Sequence, residues 1–400
     1  MPKNCVAIVV ALLTVGLTVG AATETNGRVV CSFSSAAANR ANEYEFRIED
    51  IPLPLCTHVV YDGMQLDVFT LELIPGNPPF DVLENGWEKF SDLKRTDPDV
   101  KLLLSIRSPF LARAASTAEN RGALIKSILS YMDWMRLDGI ELLWLEESFD
   151  SSDSTDANES IYTLLEELKR AFETAGHPTW EVIVMLEIER NQIDHERLCK
   201  LVDFVHFVAI SEQKVIDPPG TKEASFTYRL FNIGDRKHLT LDRAVHYWIE
   251  RKCPANKLVL GVLFPARTYT LPEGVRYGPS REPGRACAQT QEPGLCGYFE
   301  LCQLLNGTDW TVGWDDVQGI FPRATDTTDQ WVAYENEISV GRKGYIARSN
   351  GLAGVYGLSI DQDDYRGKCG DAFPLTKALW RSFLHTLDAK FNVSASWNLN

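Results

Sequence analysis

The chain has 400 residues, with 40 Lys and Arg against 55 Asp and Glu, a formal charge of −15. An acidic balance of this size argues against nucleic acid and anionic membranes as partners. The length suits one large barrel domain or two ordinary domains.

Residues 1–22 read as a secretory signal peptide. Lys3 gives a positive start, Cys5 to Gly20 is apolar, and Val19-Gly20-Ala21 or Ala21-Ala22 offers a small-residue cleavage site. The apolar run is short for a membrane span, and no later segment is long and apolar enough to cross a bilayer. The expectation is a secreted, extracellular, soluble protein. Of nine cysteines, Cys5 falls in the signal, leaving an even number for an oxidising compartment. Cys287 and Cys296 could close a short loop. Cys199 and Cys253 follow two neighbouring helical stretches and could meet near a barrel floor.

Beyond the signal, short apolar runs alternate with amphipathic stretches, the pattern of βα units and a parallel sheet. The runs are Arg28–Phe33, Thr57–Tyr61, Val100–Ile106, Gly139–Leu145, Glu181–Glu187, Phe204–Ile210, Lys257–Leu263 and Ala353–Ser359. Eight such strands predict an α/β fold, a closed (β/α)₈ barrel over residues 23–400. Helices are predicted at Ala118–Arg136, Ser160–Ala175, Leu241–Arg251 and Glu337–Ser349. The first carries Leu124, Ile128, Tyr131 and Met135 at the spacing of one buried face. Ser148–Asp156 is an acidic polar loop without the spacing or glycine of a calcium loop. Residues 266–329 are too long for a connecting loop and are rich in Gly, Pro and Cys. Sequons stand at Asn158, Asn306 and Asn392. No pattern calls for a metal or cofactor.

The fourth run begins in Asp138-Gly139-Ile140-Glu141-Leu142-Leu143-Trp144-Leu145. It resembles the fourth barrel strand of the family-18 glycoside hydrolases, the chitinases, which reads Asp-Gly-x-Asp-x-Asp-Trp-Glu. Further segments resemble the same family: Lys257–Phe264 its seventh strand, Tyr298–Cys302 its α+β insertion between strands seven and eight, Gln330–Glu335 the segment before a late helix, and Asp361–Gly367 the segment after strand eight. Phe226-Thr227, His246-Tyr247-Trp248, Cys253-Pro254 and Gly354–Gly367 resemble the insect chitinase-like proteins, the group of imaginal disc growth factors and mosquito bacteria-responsive proteins, which also lack the catalytic acid. The resemblance implies disulfides Cys31–Cys56 and Cys302–Cys369, and it assigns 266–329 to the insertion.

Family-18 catalysis is substrate-assisted. The sugar's N-acetyl oxygen attacks the anomeric carbon, so the protein must supply a raised-pKa acid and a neighbouring carboxylate. Against the family pattern, the acid falls on Leu145 and the assisting carboxylate on Leu143; Glu141 takes the first position of the series. Glu146 is a displaced candidate acid, but alternation puts it on the opposite face from Glu141, Leu143 and Leu145. The sugar-holding positions are also degenerate. The first-strand tyrosine is Ser32, the second-strand phenylalanine is Gly63, and the third-strand glycine pair is Arg107-Ser108. The sixth-strand Met-Thr-Tyr-Asp is Val208-Ala209-Ile210-Ser211, and the eighth-strand tryptophan is Leu358. Arg267 alone is kept.

These readings predict a protein with no chitin turnover, and a monomer. The function they imply is contact with an extracellular protein receptor or a glycan, in growth, wound or immune signalling; the alternatives are a chitin-binding lectin and a glycosidase using Glu146. The barrel centre is expected to be plugged and mostly dry, filled by Leu143, Leu145, Val208, Ile210 and Tyr356, with Arg107 and Glu141 as its main charged pair. Arg107 either enters the barrel to pair with Glu141 or runs upward into solvent. Trp87, Trp134 and Trp144 are expected to pack in the core.

Overall fold

The computed structural model describes residues 27–144, 154–187, 193–208, 241–273, 282–307, 309–314, 322–326 and 329–385. The signal segment, Leu145, Glu146, Ile210, Asn392, Phe226-Thr227 and residues 148–153 of the acidic loop lie outside them.

Eight parallel strands close a barrel. In chain order they are Arg28–Ser34, His58–Leu66, Lys101–Arg107, Gly139–Leu143, Glu181–Glu187, Phe204–Val208, Leu258–Leu263 and Gly354–Leu358, called strands one to eight below. Each pairs with its neighbour in sequence, and strand one pairs with both strand two and strand eight, which removes every edge. Strand two runs past its predicted end because a short antiparallel strand, Leu73–Pro75, lies beside Met64–Leu66. Its register against strand three shifts between Asp62 and Met64.

Period-two alternation divides every strand between two cores. Val29, Val59, Leu102, Leu104, Ile140, Leu142, Val182, Val184, Val205, Phe207, Leu258 and Leu260 face the outer helices. Val30, Val60, Leu103, Leu143, Ile183, Met185, Val208, Val259, Tyr356 and Leu358 fill the barrel itself. The helix at Ala118–Trp134 is started by the Thr117 hydroxyl, which accepts from the Asn120 backbone N–H, and buries Leu124, Ile128 and Met132. Asn336 caps Glu337–Ser349 by the same device.

A second, wholly antiparallel sheet follows strand seven. It is built from Ala266–Thr270, Glu282–Pro283, Leu295–Cys296, Trp310–Trp314, Pro322–Asp326 and Gln330–Ala333, with a helix at Tyr298–Leu305. The insertion therefore runs past the expected boundary at residue 329. Gln330–Ala333 pairs with Ala266–Thr270, and Trp331 packs its ring 5.5 Å from that of Tyr269.

Four disulfides join Cys31 to Cys56, Cys199 to Cys253, Cys287 to Cys296 and Cys302 to Cys369. The last ties the insertion helix to the segment after strand eight. Cys199 lies within the outer helix His195–Leu201, not after it as expected, while Cys253 follows the neighbouring outer helix Leu241–Glu250.

Candidate functional site: the barrel centre and mouth

Asp138 precedes strand four and belongs to its base. Its carboxylate accepts the Leu102 backbone N–H at 2.8 Å and pairs with Lys94 at 2.6 Å. Gly139 is required by close strand approach, because a Cβ there would lie 2.8 Å from both the Cβ and the carbonyl oxygen of Glu181. Glu141 and Leu143 then point into the barrel and are 1% and 4% exposed.

Glu141 is the hub of the centre. One carboxylate oxygen accepts from the Ser105 hydroxyl at 2.9 Å and lies 3.5 Å from the Tyr356 hydroxyl. The other lies 2.5 Å from His206 Nδ1. All four side chains are buried, and their carriers are strands three, four, six and eight. Burial, then the charge of Glu141, holds the Tyr356 phenol well above its usual range, so it stays protonated and able to donate. Among the described residues, His206 Nε2 has no hydrogen-bond partner.

Above this cluster, Leu143, Met185, Val208 and Leu358 form an apolar layer. Leu358 therefore sits in core, 6% exposed. At the mouth, Arg107 donates to Asp62 at 3.2 Å, its side chain half exposed. Burial pushes the Asp62 carboxyl up; Arg107 opposes the shift and Glu141 adds to it. Gly63 packs against the Ser35 side chain, which a Cβ would meet at 2.5 Å. Arg267 is half-buried in the insertion sheet, opposite Leu295 and Ala333.

Two expectations need correction. Arg107 does not pair with Glu141: at the last position of strand three its long side chain reaches outward to Asp62, while Glu141 is already saturated. The partners of Glu141 at the centre are instead Ser105, His206 and Tyr356, which form a buried polar cluster with it. Trp134 is not core. It is 59% exposed at the end of its helix, packed edge-on against Trp87 and Tyr131, whereas Trp87 and Trp144 are buried.

His206 is the functional-looking residue that the motif reading missed. The signal was available: alternation puts it on the inward face with Val208, and a buried Glu141 needs a partner. Among the described residues, one group has metal-ligand spacing, Cys302, Asp364 and Cys369, but its two sulfurs are spent on a disulfide. Of the sequons, Asn306 is exposed at the end of the insertion helix, and Asn158 is half-buried within Ser154–Thr174.

The profile of the glycosyl hydrolases family 18 matches residues 28–363. The endochitinase of Manduca sexta is 29% identical over 93% of this chain and 70% of its own length. Human chitinase-3-like protein 2 is 26% identical over 89% of this chain and 92% of its own. Among solved structures, the Ostrinia furnacalis group IV chitinase superposes with a TM-score of 0.80 at 27% identity, covering 90% of this chain and all of that one. YKL-39, solved in the presence of chitooligosaccharides, gives 0.76 at 26% identity, covering 89% and 99%.

Proposed function

This chain belongs to the glycosyl hydrolases family 18, and from that premise we propose that it is a secreted, non-catalytic member acting through contacts with a protein receptor or a glycan, in growth, wound or immune signalling. The observation that carries the proposal is Leu143. It faces into the barrel at the assisting-carboxylate position and is buried against apolar neighbours. Leu145 occupies the acid position in sequence. Proton donation to a leaving sugar requires a titratable group within hydrogen-bond reach, and neither residue has one. Four disulfides and the absence, among the described residues, of a helix able to cross a membrane support the extracellular reading.

The test is turnover of chitooligosaccharides beside an active chitinase. Product above buffer background, abolished by Glu146→Gln, would refute the proposal. A second reading, a chitooligosaccharide lectin, is favoured by one relative: human YKL-39 is described as a pseudo-chitinase with retained chitooligosaccharide binding. Saturable binding on a glycan array, without turnover, would select it over receptor contact alone.

A further inference from the structure

The N-terminal end of the barrel, opposite the face where such barrels hold their active sites, carries a half-open hollow of about 440 Å³. That volume lies in the range of small-molecule sites, about 300–1,000 Å³. Arg28, His58 and Phe204, the first residues of strands one, two and six, form part of its wall. Arg348, Leu352 and Phe383 come from the surrounding layer.

We propose that this cavity binds a small monoanion, a carboxylate carried on an apolar body. The charge argument comes first. The chain carries −15 overall, yet among the described residues two arginines and no acidic side chain line this hollow. Arg28 is fixed: its two terminal nitrogens donate to Glu181 at 2.9 and 2.6 Å, and its guanidinium lies 3.7 Å from the centre of the Phe204 ring. Glu181 offsets its charge but leaves Nε buried and, among the described residues, without a hydrogen-bond partner. Arg348 donates to the His385 carbonyl and has no ion-pair partner among the described residues. Burial, then the charge of Arg28, holds the His58 imidazole well below its usual range, so it adds no second cation. Among the described residues one positive charge, that of Arg348, is thus left without an ion-pair partner, enough for one anion.

The remaining wall chooses the ligand's body. Phe204, Leu352 and Phe383 offer apolar surface that a free phosphate or a sugar would leave unsatisfied, and that an alkyl or aryl carboxylate would cover.

The test is calorimetric titration of the full chain with octanoate, beside octanol, which lacks the charge, and inorganic phosphate, which lacks the apolar body. Octanoate should bind saturably at one site per chain, with octanol at least about tenfold weaker, the loss of one charge-assisted hydrogen bond, and phosphate silent. Arg348→Leu should weaken octanoate without changing octanol, Arg348→Lys should restore part of the loss, and Arg107→Ala at the opposite mouth should change nothing. Thermal melts of each variant establish that it is folded. Absence of saturable octanoate binding, equal binding of octanoate and octanol, or an unchanged Arg348→Leu would overturn the proposal.

Discussion

The His206–Glu141 contact makes the sharpest prediction about stability. Both side chains are essentially inaccessible, and Glu141 is the acceptor shared by Ser105, Tyr356 and His206. His206→Leu leaves one Glu141 oxygen without a partner in the middle of the barrel. Leaving a buried carboxylate oxygen without its donor costs about 3 kcal/mol. Glu141→Leu instead strands up to three donors at about 1–3 kcal/mol each; the two hydroxyls can turn to other acceptors, so roughly 3 kcal/mol is expected. The double variant removes both needs and puts two well-sized apolar side chains beneath the layer that holds Leu143 and Val208. It should lie within about 2 kcal/mol of the parent, since replacing a buried pair with apolar residues is often neutral or stabilising. Urea unfolding of the four proteins with disulfides intact gives the cycle, and a coupling of about 3 kcal/mol or more is expected. A double variant as damaged as the sum of the two singles would refute the pairing. Arg107→Ala is the control: an exposed pair with Asp62 predicts a loss below about 1 kcal/mol, whereas a loss matching that of His206→Leu would return Arg107 to the barrel centre.

The disulfides should differ in value. By loop-closure entropy, replacing the Cys302–Cys369 pair, separated by 67 residues, should cost about 4 kcal/mol, against about 2.5 kcal/mol for Cys287–Cys296, separated by 9; paired alanine variants and denaturant midpoints check the order. Burial lowers the His195 imidazole to about 4, so the folded protein binds fewer protons than the unfolded chain between about 4 and 6.5. Its contribution is complete above 6.5 and is lost as pH falls towards 4, by roughly 3 kcal/mol; His195→Phe should flatten that part of the stability–pH curve. Asp363 has the opposite sign. Burial raises its carboxyl from 3.8 to about 6 despite bonds from Thr376, Leu375 and Asp364, so its contribution falls as pH rises across that window, and Asp363→Asn should remove the downward slope. Leu145→Glu alone should restore no chitin turnover, because Leu143 and Leu358 still occupy the assisting and platform positions; product release from that single variant would show that the rest of the sugar site is intact.

The barrel was legible because its signal is periodic. Glu181–Glu187 and Glu337–Ser349 run from end to end where the apolar pattern puts them. Strand two was cut short because Asp62-Gly63 reads as a stop, and only the tertiary partner at Leu73–Pro75 explains its continuation. The insertion boundary slipped for the same reason: Gln330–Ala333 is too short to declare its sheet locally. At the centre, the inward face of Leu143 followed from alternation. The direction of Arg107 did not, since a side chain of that length can reach either Glu141 or solvent, and the choice depends on Asp62 across the mouth. His206 was missed because a single histidine in an apolar strand carries no motif; its meaning appears only when strand six is set beside Glu141.

The persistence of Glu141 in a barrel whose neighbouring positions are leucines has a structural explanation. An acid two residues from Leu143, on the same inward face, cannot remain buried alone, because an unpaired charge in such a medium is too costly. Here it is held from strands three, six and eight at once, so it works as a cross-brace where a catalytic carboxylate would have to stay accessible to substrate. That role and the apolar layer above it are mutually consistent: Leu143, Met185, Val208 and Leu358 exclude water from the cluster, and exclusion of water strengthens each of its hydrogen bonds. A barrel stabilised in this way has its centre committed to packing. Recognition under the proposed function then falls to surfaces that remain free, and the insertion is suited to it: its own antiparallel sheet stands outside the barrel, and the Cys302–Cys369 bridge anchors its helix to the segment after strand eight.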